Sequence, residues 1–195
     1  MPALHTDALD QLFTDARTFN KFTDEPLSDA QFHASYDLTK MPPTAFNASP
    51  ARFVFVRSPE AKKRLIPLMM EGNQAKSMAA PVTVIVAFDS RFQENLPTLF
   101  PAMDVKGMFD ADAELTATAA FRNGTLSGTY FIMAVRALGL DAGPMSGFNN
   151  AAVDNEFFPD GRFKSNFLIN IGHGDPTGNY PRSPRLKFDE AAQIL

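Results

Sequence analysis

The feature that most constrains the fold is a long segment with helical character, residues 113–138, the longest helix candidate in the chain. Its small residues Ala120, Gly124 and Gly128 lie four apart, so they share one face and permit another element to approach closely. Gly139 then follows as the glycine that commonly ends a helix. Periodicity leaves two alternatives open for the small-residue face, which are packing within the subunit and packing across a dimer interface.

Shorter segments around this helix alternate between the patterns of helices and strands. The runs "RFVFVR", "APVTVIVAFD" and "NFLINI" predict strands at 52–57, 82–88 and 166–171. Apolar spacing and capping residues predict helices at 6–16, 28–40 and 59–69, and a short helix near the C-terminus. Residues 91–112 are rich in Phe and Pro, and we expect them to form an irregular cleft cover, or lid. The 195 residues therefore predict one α+β domain, in which helices cover a small sheet and one helix is long and central.

Composition and motifs argue against several classes of function. The net charge of −4 disfavours nucleic-acid binding, and no apolar run approaches the roughly 20 residues that cross a bilayer. The chain has no cysteine, and His5, His33 and His173 lack metal-ligand spacing, so we expect no metal site. A G-x-S-x-G hydrolase elbow is absent, and "GHGDPTG" at 172–178 lacks the lysine of a phosphate loop and is interpreted as a turn. The N-terminus does not resemble a signal peptide, so we expect a cytoplasmic protein without a membrane partner.

The remaining candidates for chemistry are polar and basic residues at the edges of the predicted elements. Each is most often a cap, a turn residue or a solvated charge when it occurs alone. Together they suit a ligand with an anionic end and a planar polar end, such as a flavin mononucleotide. They are Arg17, Thr18, Asn47, Asn73, Lys76 and Arg182.

The stretch "ALGLDAGPMSGF" at 137–148 provides the strongest family resemblance. It is similar to the helix end and Pro-x-x-Gly segment of the nitroreductase-like FMN oxidoreductases, and the resemblance extends over nearly the whole chain. The branch of this family that the chain resembles most is the malonic semialdehyde reductase (3-hydroxypropionate dehydrogenase-like) group of pyrimidine degradation. The resemblance implies that residues 144–147 form a backbone wall against the flavin ring, with a backbone N–H near N5. The residues concerned are Pro144, Met145, Ser146 and Gly147.

Four further stretches resemble family motifs in the same order along the chain. "ARTFNKF", "PTAFNASPARFVFV", "NQAKSMAAPV" and "PRSPRL" are similar to the phosphate- and ribityl-binding stretch, the partner-subunit loop, the ring-contacting segment and the C-terminal phosphate-binding segment. The implied cofactor-binding residues are Arg17, Thr18, Asn20, Thr44, Asn47, Asn73, Lys76, Arg182 and, near Arg182, Arg185.

The chain also departs from the family pattern at four positions, one of which is Ala51 in place of the aromatic residue of the family loop. Many relatives carry an arginine where this chain has Ala16 and a second cation where it has Asn20. The loop glutamine of the family is replaced by Ser49, which we therefore do not include in the site. The phosphate site is consequently expected to depend on Arg17 and Arg182, with Arg185 nearby.

The resemblance implies a homodimer with FMN at the subunit interface and NADH or NADPH as the electron donor. A hydride passes through flavin N5 to a small acceptor, and malonic semialdehyde, reduced to 3-hydroxypropionate, competes with nitroaromatics and quinones for that role. Lys76 then has an electrostatic role at the ring edge, and Arg122 is a candidate for binding a substrate carboxylate. A flavin-binding dimer without turnover is the alternative of another class.

Gly147 is the most specific expectation within the proposed wall. A glycine is expected there either because a side chain would intrude on the ring or because the backbone needs an unusual φ. Pro144 lacks an N–H, so it can face a ring without leaving a donor unpaired.

Overall fold

The computed structural model describes residues 2–195 and contains an antiparallel sheet of four strands in the order β1-β2-β4-β3. These strands are β1 (Ala51–Val56), β2 (Val82–Asp89), β3 (Asp141–Met145) and β4 (Phe163–Gly172). Within the described chain β2 and β4 are central, and β4 pairs with both β2 and β3. The predicted α+β class, with helices around a small sheet, is confirmed.

Helices flank this sheet, and the longest of them is the predicted central helix. They are α1 (Thr6–Leu9), α2 (Asp29–Thr39), α3 (Pro59–Leu65), α4 (Glu71–Ala79), α5 (Leu96–Leu99), α6 (Lys106–Ala111), α7 (Ala113–Ala137), α8 (Asn150–Phe157) and α9 (Phe188–Ala191). Among residues 2–195, no helix has both the length and the apolar character needed to cross a membrane.

The ends of α2 and α3 form as their capping residues predict. Ser28 accepts a hydrogen bond from the backbone N–H of Gln31, and the Gln31 side chain accepts one from the Ser28 N–H at 2.8 Å. At α3 the Ser58 hydroxyl accepts from the Ala61 N–H, and Pro59 occupies the first turn. These bonds, reciprocal at α2 and single at α3, satisfy donors that a helix start leaves unpaired, so both starts are set locally.

The end of α7 is a Schellman motif centred on Gly139. Gly139 has a φ of 76°, which favours glycine over residues with a side chain. The Gly139 N–H donates to the Arg136 carbonyl, and the Leu140 N–H donates to the Val135 carbonyl. Leu140 and Val135 are both buried in one apolar cluster, as this motif requires. The motif ends the helix and directs the chain into β3.

The small-residue face of α7 packs within the subunit. A Cβ added to Gly128 would lie 2.6 Å from the Phe167 ring, and one added to Gly124 would lie 2.9 Å from Phe88 Cβ. Ala120 on the same face is fully buried. Of the two alternatives left open by periodicity, packing on the sheet is therefore the one observed.

Two apolar clusters lie on opposite faces of the sheet. Val82, Val84 and Val86 of β2 face α7, whereas Ile85 and Ala87 face the side covered by α3 and α8. This alternation is the two-residue period of a strand, and both faces of β2 are buried. The sheet thus separates α7 from the helices on the other side.

A buried carboxylate joins the ends of three strands. Asp89 is inaccessible to solvent and accepts hydrogen bonds from Arg52 of β1 and, through two nitrogens, from Arg162, which precedes β4, all at 2.9 Å. The backbone N–H of Arg91 also donates to Asp89. Hydrogen bonding to Asp89 raises the pKa of Arg162 above its usual value. The charge on Asp89 is therefore compensated by two guanidinium groups.

Two predicted segments differ from the structure in length or kind. The first was expected over 6–16, but α1 is followed by a single wide turn of π-helix, Asp10–Thr14, and the helix ends there. Its apolar residues Leu9 and Phe13 remain exposed, because no element of the protomer covers them. The segment 91–112, expected to be irregular, contains a 3-10 turn, Phe92–Asn95, together with α5 and α6.

The region around 144–147 is also more regular than a turn. Residues 141–145 form β3 at the edge of the sheet, where Pro144 pairs with Ile169. An edge strand tolerates proline because its outward side needs no donor.

Two helices lie next to the wall. Asn73 and Lys76 are on α4, and α8 follows the wall, with Asn149 capping its first turn. Neither helix was predicted, since short polar segments carry weak periodicity.

Candidate functional site

Four arginine side chains surround one open cleft, with a volume of about 550 Å³, near the C-terminal end of α7. We call it the arginine cleft, and its arginines are Arg17, Arg136, Arg182 and Arg185. Other residues that line it include Thr18, Asn20 and Tyr180. None of the four arginines forms an ion pair with a carboxylate among residues 2–195. A chain with net charge −4 thus places four arginines without a carboxylate at ion-pair distance in one cleft.

Backbone carbonyls hold these guanidinium groups in position. Arg182 donates to the carbonyls of Thr14 and Ala16 at 2.6 and 2.9 Å, and Arg17 donates to the carbonyl of Tyr180. These bonds fasten the C-terminal segment to the N-terminal segment. Because carbonyls satisfy only part of a guanidinium's donors, each arginine retains capacity for an anion.

Arg136 is the member of the cleft that no sequence motif indicated. It lies in the last turn of α7, is half-buried, and donates to the Leu12 carbonyl at 3.3 Å. Burial lowers the pKa of the Arg136 guanidinium; Asp141 opposes this shift, and the positive charge of Arg182 adds to it. A guanidinium nevertheless stays charged in proteins, so Arg136 contributes a full positive charge.

The predicted residues Asn20 and Lys76 meet next to this cleft. The Lys76 ammonium lies 3.4 Å from Asn20 Oδ1, and burial lowers the pKa of Lys76 below its usual value. Residues 18–19 run beside β3, where the Phe19 N–H donates to the Ala142 carbonyl. The N-terminal stretch is thereby placed between the arginine cleft and the wall at 144–147.

A row of candidate residues runs from the arginine cleft through Asn20 and Lys76, and we call it the line. Gly147 and Asn73 form its far end. Asn73 Nδ2 donates to the Gly147 carbonyl at 2.9 Å, and the Met70 N–H donates to the same oxygen. Of the two reasons expected for glycine at 147, an unusual φ does not apply, since its φ is not in the left-handed region. A Cβ at this position would instead lie 2.5 Å from Asn73 Nδ2 and 3.1 Å from Met70 Sδ. Glycine is required here because Asn73 approaches the backbone closely.

A buried network of polar side chains connects the wall and α4 to the sheet. Thr83 Oγ1 donates to Asn170 Oδ1 at 2.7 Å, Asn170 Nδ2 donates to Ser77 Oγ at 3.0 Å, and Ser77 lies 3.6 Å from Met145 Sδ. Thr83, Asn170 and Ser77 are fully buried. These bonds join β2, β4, α4 and β3, so they fix α4 relative to the wall.

A second support holds the C-terminal end of α4. The ammonium of Lys62, on α3, donates to the carbonyls of Met78 and Ala80. Lys62 is buried, and this burial lowers its pKa. A cation at a helix C-terminus satisfies free carbonyls and interacts favourably with the helix dipole. Asn73 and Lys76 are therefore presented by a helix that is fastened from two sides.

Thr44 and Asn47, also predicted for the site, lie in a separate part of the protomer. Asn47 Nδ2 donates to the Leu99 carbonyl at 2.9 Å, and Thr44 Oγ1 accepts from the Ser49 N–H. Phe46, Asn47 and Ser49 all have positive φ, which is uncommon for residues other than glycine. The loop is thus held in a strained shape beside α5 and α6, but no hydrogen bond of the described chain connects it to Arg17 or Lys76.

Arg122, the substrate candidate, is likewise remote from the line within this protomer. It is exposed on the outer face of α7, the side opposite the sheet. Exposed Phe121 and Leu126 flank it. The structure thus brings together Arg17, Thr18, Asn20, Asn73, Lys76, residues 144–147, Arg182 and Arg185, and leaves Thr44, Asn47 and Arg122 apart.

Comparison with known proteins decides the family of the chain. The model of the nitroreductase family matches residues 14–173. The chain belongs to the nitroreductase family. A protein of Burkholderia lata, provisionally named NADH dehydrogenase/NAD(P)H nitroreductase, is 58% identical over 194 residues, which cover all of both chains.

Solved nitroreductase structures share the fold at lower identity. A nitroreductase from Bacillus subtilis has a TM-score of 0.87 and 21% identity, covering 98% of this chain and 100% of its own. A nitroreductase from Exiguobacterium sibiricum in complex with FMN has a TM-score of 0.86 and 20% identity, covering 100% of both chains. The predicted nitroreductase fold is therefore confirmed.

Among the residues that build the candidate site of this nitroreductase-family protein, several carried no sequence signal. Arg136, Lys62 and Asn170 reach the site from α7, α3 and β4; Arg136 and Asn170 are far in sequence from their partners, and Lys62 lies on a different helix from its own. The only local indication was the position of Arg136 in the last helical turn before Gly139, where a basic residue is common for reasons of helix stability alone. Their contributions follow from the tertiary packing.

Proposed function

We propose that the chain is an FMN-dependent NAD(P)H oxidoreductase that passes a hydride to a small acceptor. The observation that carries the proposal is the continuous line from the arginine cleft, through Asn20 and Lys76, to Asn73 and Gly147. The names of the relatives and the FMN complex of the Exiguobacterium sibiricum nitroreductase support it.

The chemistry of the donor groups fits FMN. Guanidinium groups without carboxylate partners suit a phosphate, which arginine binds through paired N–H donors. Lys76 and Asn73 provide donors where the polar edge of the ring would lie, and residues 144–147 provide a backbone surface for its face. The residues assigned to the phosphate are Arg17, Thr18, Arg182 and Arg185.

FMN, when bound, supplies the hydride chemistry that protein side chains lack. The chain's contribution is to bind, orient and stabilise charge. With FMN bound, the ammonium of Lys76 would stabilise negative charge at the ring edge, an interaction that its partial burial strengthens. The buried network behind Ser77 and the contact of Lys62 keep α4 from shifting when this charge changes.

Anaerobic reduction of the purified protein tests the proposal. We expect a yellow protein whose absorbance near the flavin maximum is bleached by NADH or NADPH, and comparison of the two donors identifies the preferred one. A protein that binds FMN but is not bleached by either donor would support the alternative of a non-catalytic flavin-binding dimer. A protein that binds no FMN would contradict both.

For the acceptor we propose malonic semialdehyde, which is reduced to 3-hydroxypropionate. The resemblance of the chain to the malonic semialdehyde reductase branch supports this choice, whereas the names of the relatives favour a nitroaromatic acceptor. Steady-state assays with a semialdehyde, a quinone and a nitroaromatic compare them directly. If Arg122 binds the carboxylate, Arg122→Gln raises KM for the semialdehyde and leaves KM for the uncharged quinone unchanged.

We also propose that the active form is a homodimer, since Thr44, Asn47 and Arg122 lie away from the line within one protomer. The exposed face of α7 is the candidate interface; Phe121 and Leu126 are 53% and 44% exposed there. Residues 91–112 pack beside the loop that carries Asn47 and act as a lid over the partner's site. Sedimentation should show a dimer that Leu126→Asp weakens, whereas Leu38→Asp, at an exposed position of α2, leaves it intact.

A further inference from the structure

Arg136 has a geometry that its structural contacts do not explain fully. A basic residue in the last turn of α7 stabilises the helix dipole, but that role needs no particular orientation. The guanidinium of Arg136 instead lines the arginine cleft and makes one hydrogen bond, at 3.3 Å, to the Leu12 carbonyl. Most of its N–H donors therefore have no acceptor among the described residues.

The position of Arg136 coincides with a deficit in the family pattern. Ala16 lines the same cleft as Arg136, and by the family resemblance it stands where many relatives carry an arginine. The carbonyl of Ala16 is bound by Arg182, so the backbone at this point is already part of the basic cluster. A guanidinium from α7 thus reaches the region that lacks the N-terminal cation.

We propose that Arg136 is a phosphate-binding residue of this chain and replaces the cation that is missing at Ala16. The inference rests on the proposed function, since it takes FMN as the ligand. Its ligand class is a phosphomonoester dianion, held by Arg136 from α7 together with Arg17 and Arg182 from the two ends of the chain. Arg136 acts on the phosphate only, because the ring-facing groups, Asn73 and Gly147, lie at the other end of the line.

The test compares FMN with riboflavin, which has the same ring but no phosphate. Arg136→Gln removes the charge and keeps a polar N–H donor on the side chain. A charge-assisted bond to an ionised group corresponds to about tenfold to 100-fold in affinity. We expect fluorescence titration to show weaker FMN binding by about this factor, with riboflavin affinity unchanged. Lys63→Gln, at an exposed lysine of α3, is the charge-matched control and should change neither affinity.

The outcomes separate this inference from the proposed function. Equal losses for FMN and riboflavin, or no loss for either, would overturn the role of Arg136 while leaving flavin binding intact. Wild-type protein that binds neither flavin would overturn the proposed function itself. If Arg136→Gln does not fold, Arg136→Met provides the same comparison with a side chain of similar length, and the same selective loss of FMN is expected.

Discussion

The contact between Gly147 and Asn73 makes a single methyl group a sharp perturbation of the candidate site. In Gly147→Ala the new Cβ would lie 2.5 Å from Asn73 Nδ2, whereas ordinary contacts begin at 3.4 Å. Asn73 must therefore withdraw by 3.4 − 2.5 = 0.9 Å, and its 2.9 Å hydrogen bond to the Gly147 carbonyl is broken or bent. Because the φ of Gly147 is not left-handed, alanine causes no backbone strain of its own.

The expected cost follows from these opposing contributions. Overpacking costs about 1–3 kcal/mol and a lost neutral hydrogen bond about 0.5–1.5 kcal/mol. The smaller backbone entropy of alanine in the unfolded chain offsets about 0.4–1 kcal/mol. We therefore expect Gly147→Ala to lower the free energy of unfolding by about 1–3 kcal/mol. Urea denaturation of the FMN-free protein at constant protein concentration measures this change, provided that the m-value is unaltered.

A double-mutant cycle isolates the cause of the destabilisation. In an Asn73→Ala background the colliding amide is absent, and the remaining neighbour, Met70, has a flexible side chain. Gly147→Ala should then cost no more than about 0.5 kcal/mol, which corresponds to a coupling free energy of about 1 kcal/mol or more. Flavin affinity should fall in both single variants and no further in the double variant. Additive costs in stability would refute the argument that Asn73 is the reason for glycine at 147.

Three further perturbations test the site and its support. Arg182→Ala should weaken FMN binding roughly tenfold or more in fluorescence titration, since it removes a charge-assisted contact, and unchanged affinity would exclude Arg182 from the site. Asp89→Asn should destabilise the fold by about 3–5 kcal/mol, because it leaves two guanidinium groups without their buried carboxylate. Its control is Asp37→Asn in an exposed ion pair, which should change stability by less than about 1 kcal/mol. Burial lowers the pKa of Lys62 from 10.5, so just below pH 10.5 the folded protein binds fewer protons than the unfolded protein. The free energy of unfolding of the wild type should therefore rise relative to that of Lys62→Met as pH rises through this interval. A difference between wild type and Lys62→Met that does not change with pH would contradict the burial argument.

The elements that the sequence predicted best are those whose ends are set by local chemistry. The capping pairs at Ser28 and Ser58 and the glycine at 139 each act within a few residues, so their signals are complete in the sequence. β3 has no such local signal, because a segment with glycine and proline becomes a strand only through its pairing with β4. The short helix α4 depends in the same way on contacts with other elements. Lys62 of α3 donates to its C-terminal carbonyls, and Asn170 of β4 donates to its Ser77.

The residues of the candidate site also differ in whether local sequence or tertiary packing determines their position. Motif residues such as Arg17, Asn73 and Lys76 could be identified because a resemblance preserves their order along the chain. The reason for glycine at 147 could not, since it depends on how closely α4 approaches the end of β3. The apparent deficit at Ala16 was similarly unresolvable from the sequence, because the cation that reaches the same cleft comes from the end of a helix 120 residues later, at Arg136. A missing charge in a motif therefore defines a region of space that needs a cation, and any element that enters that region can supply it.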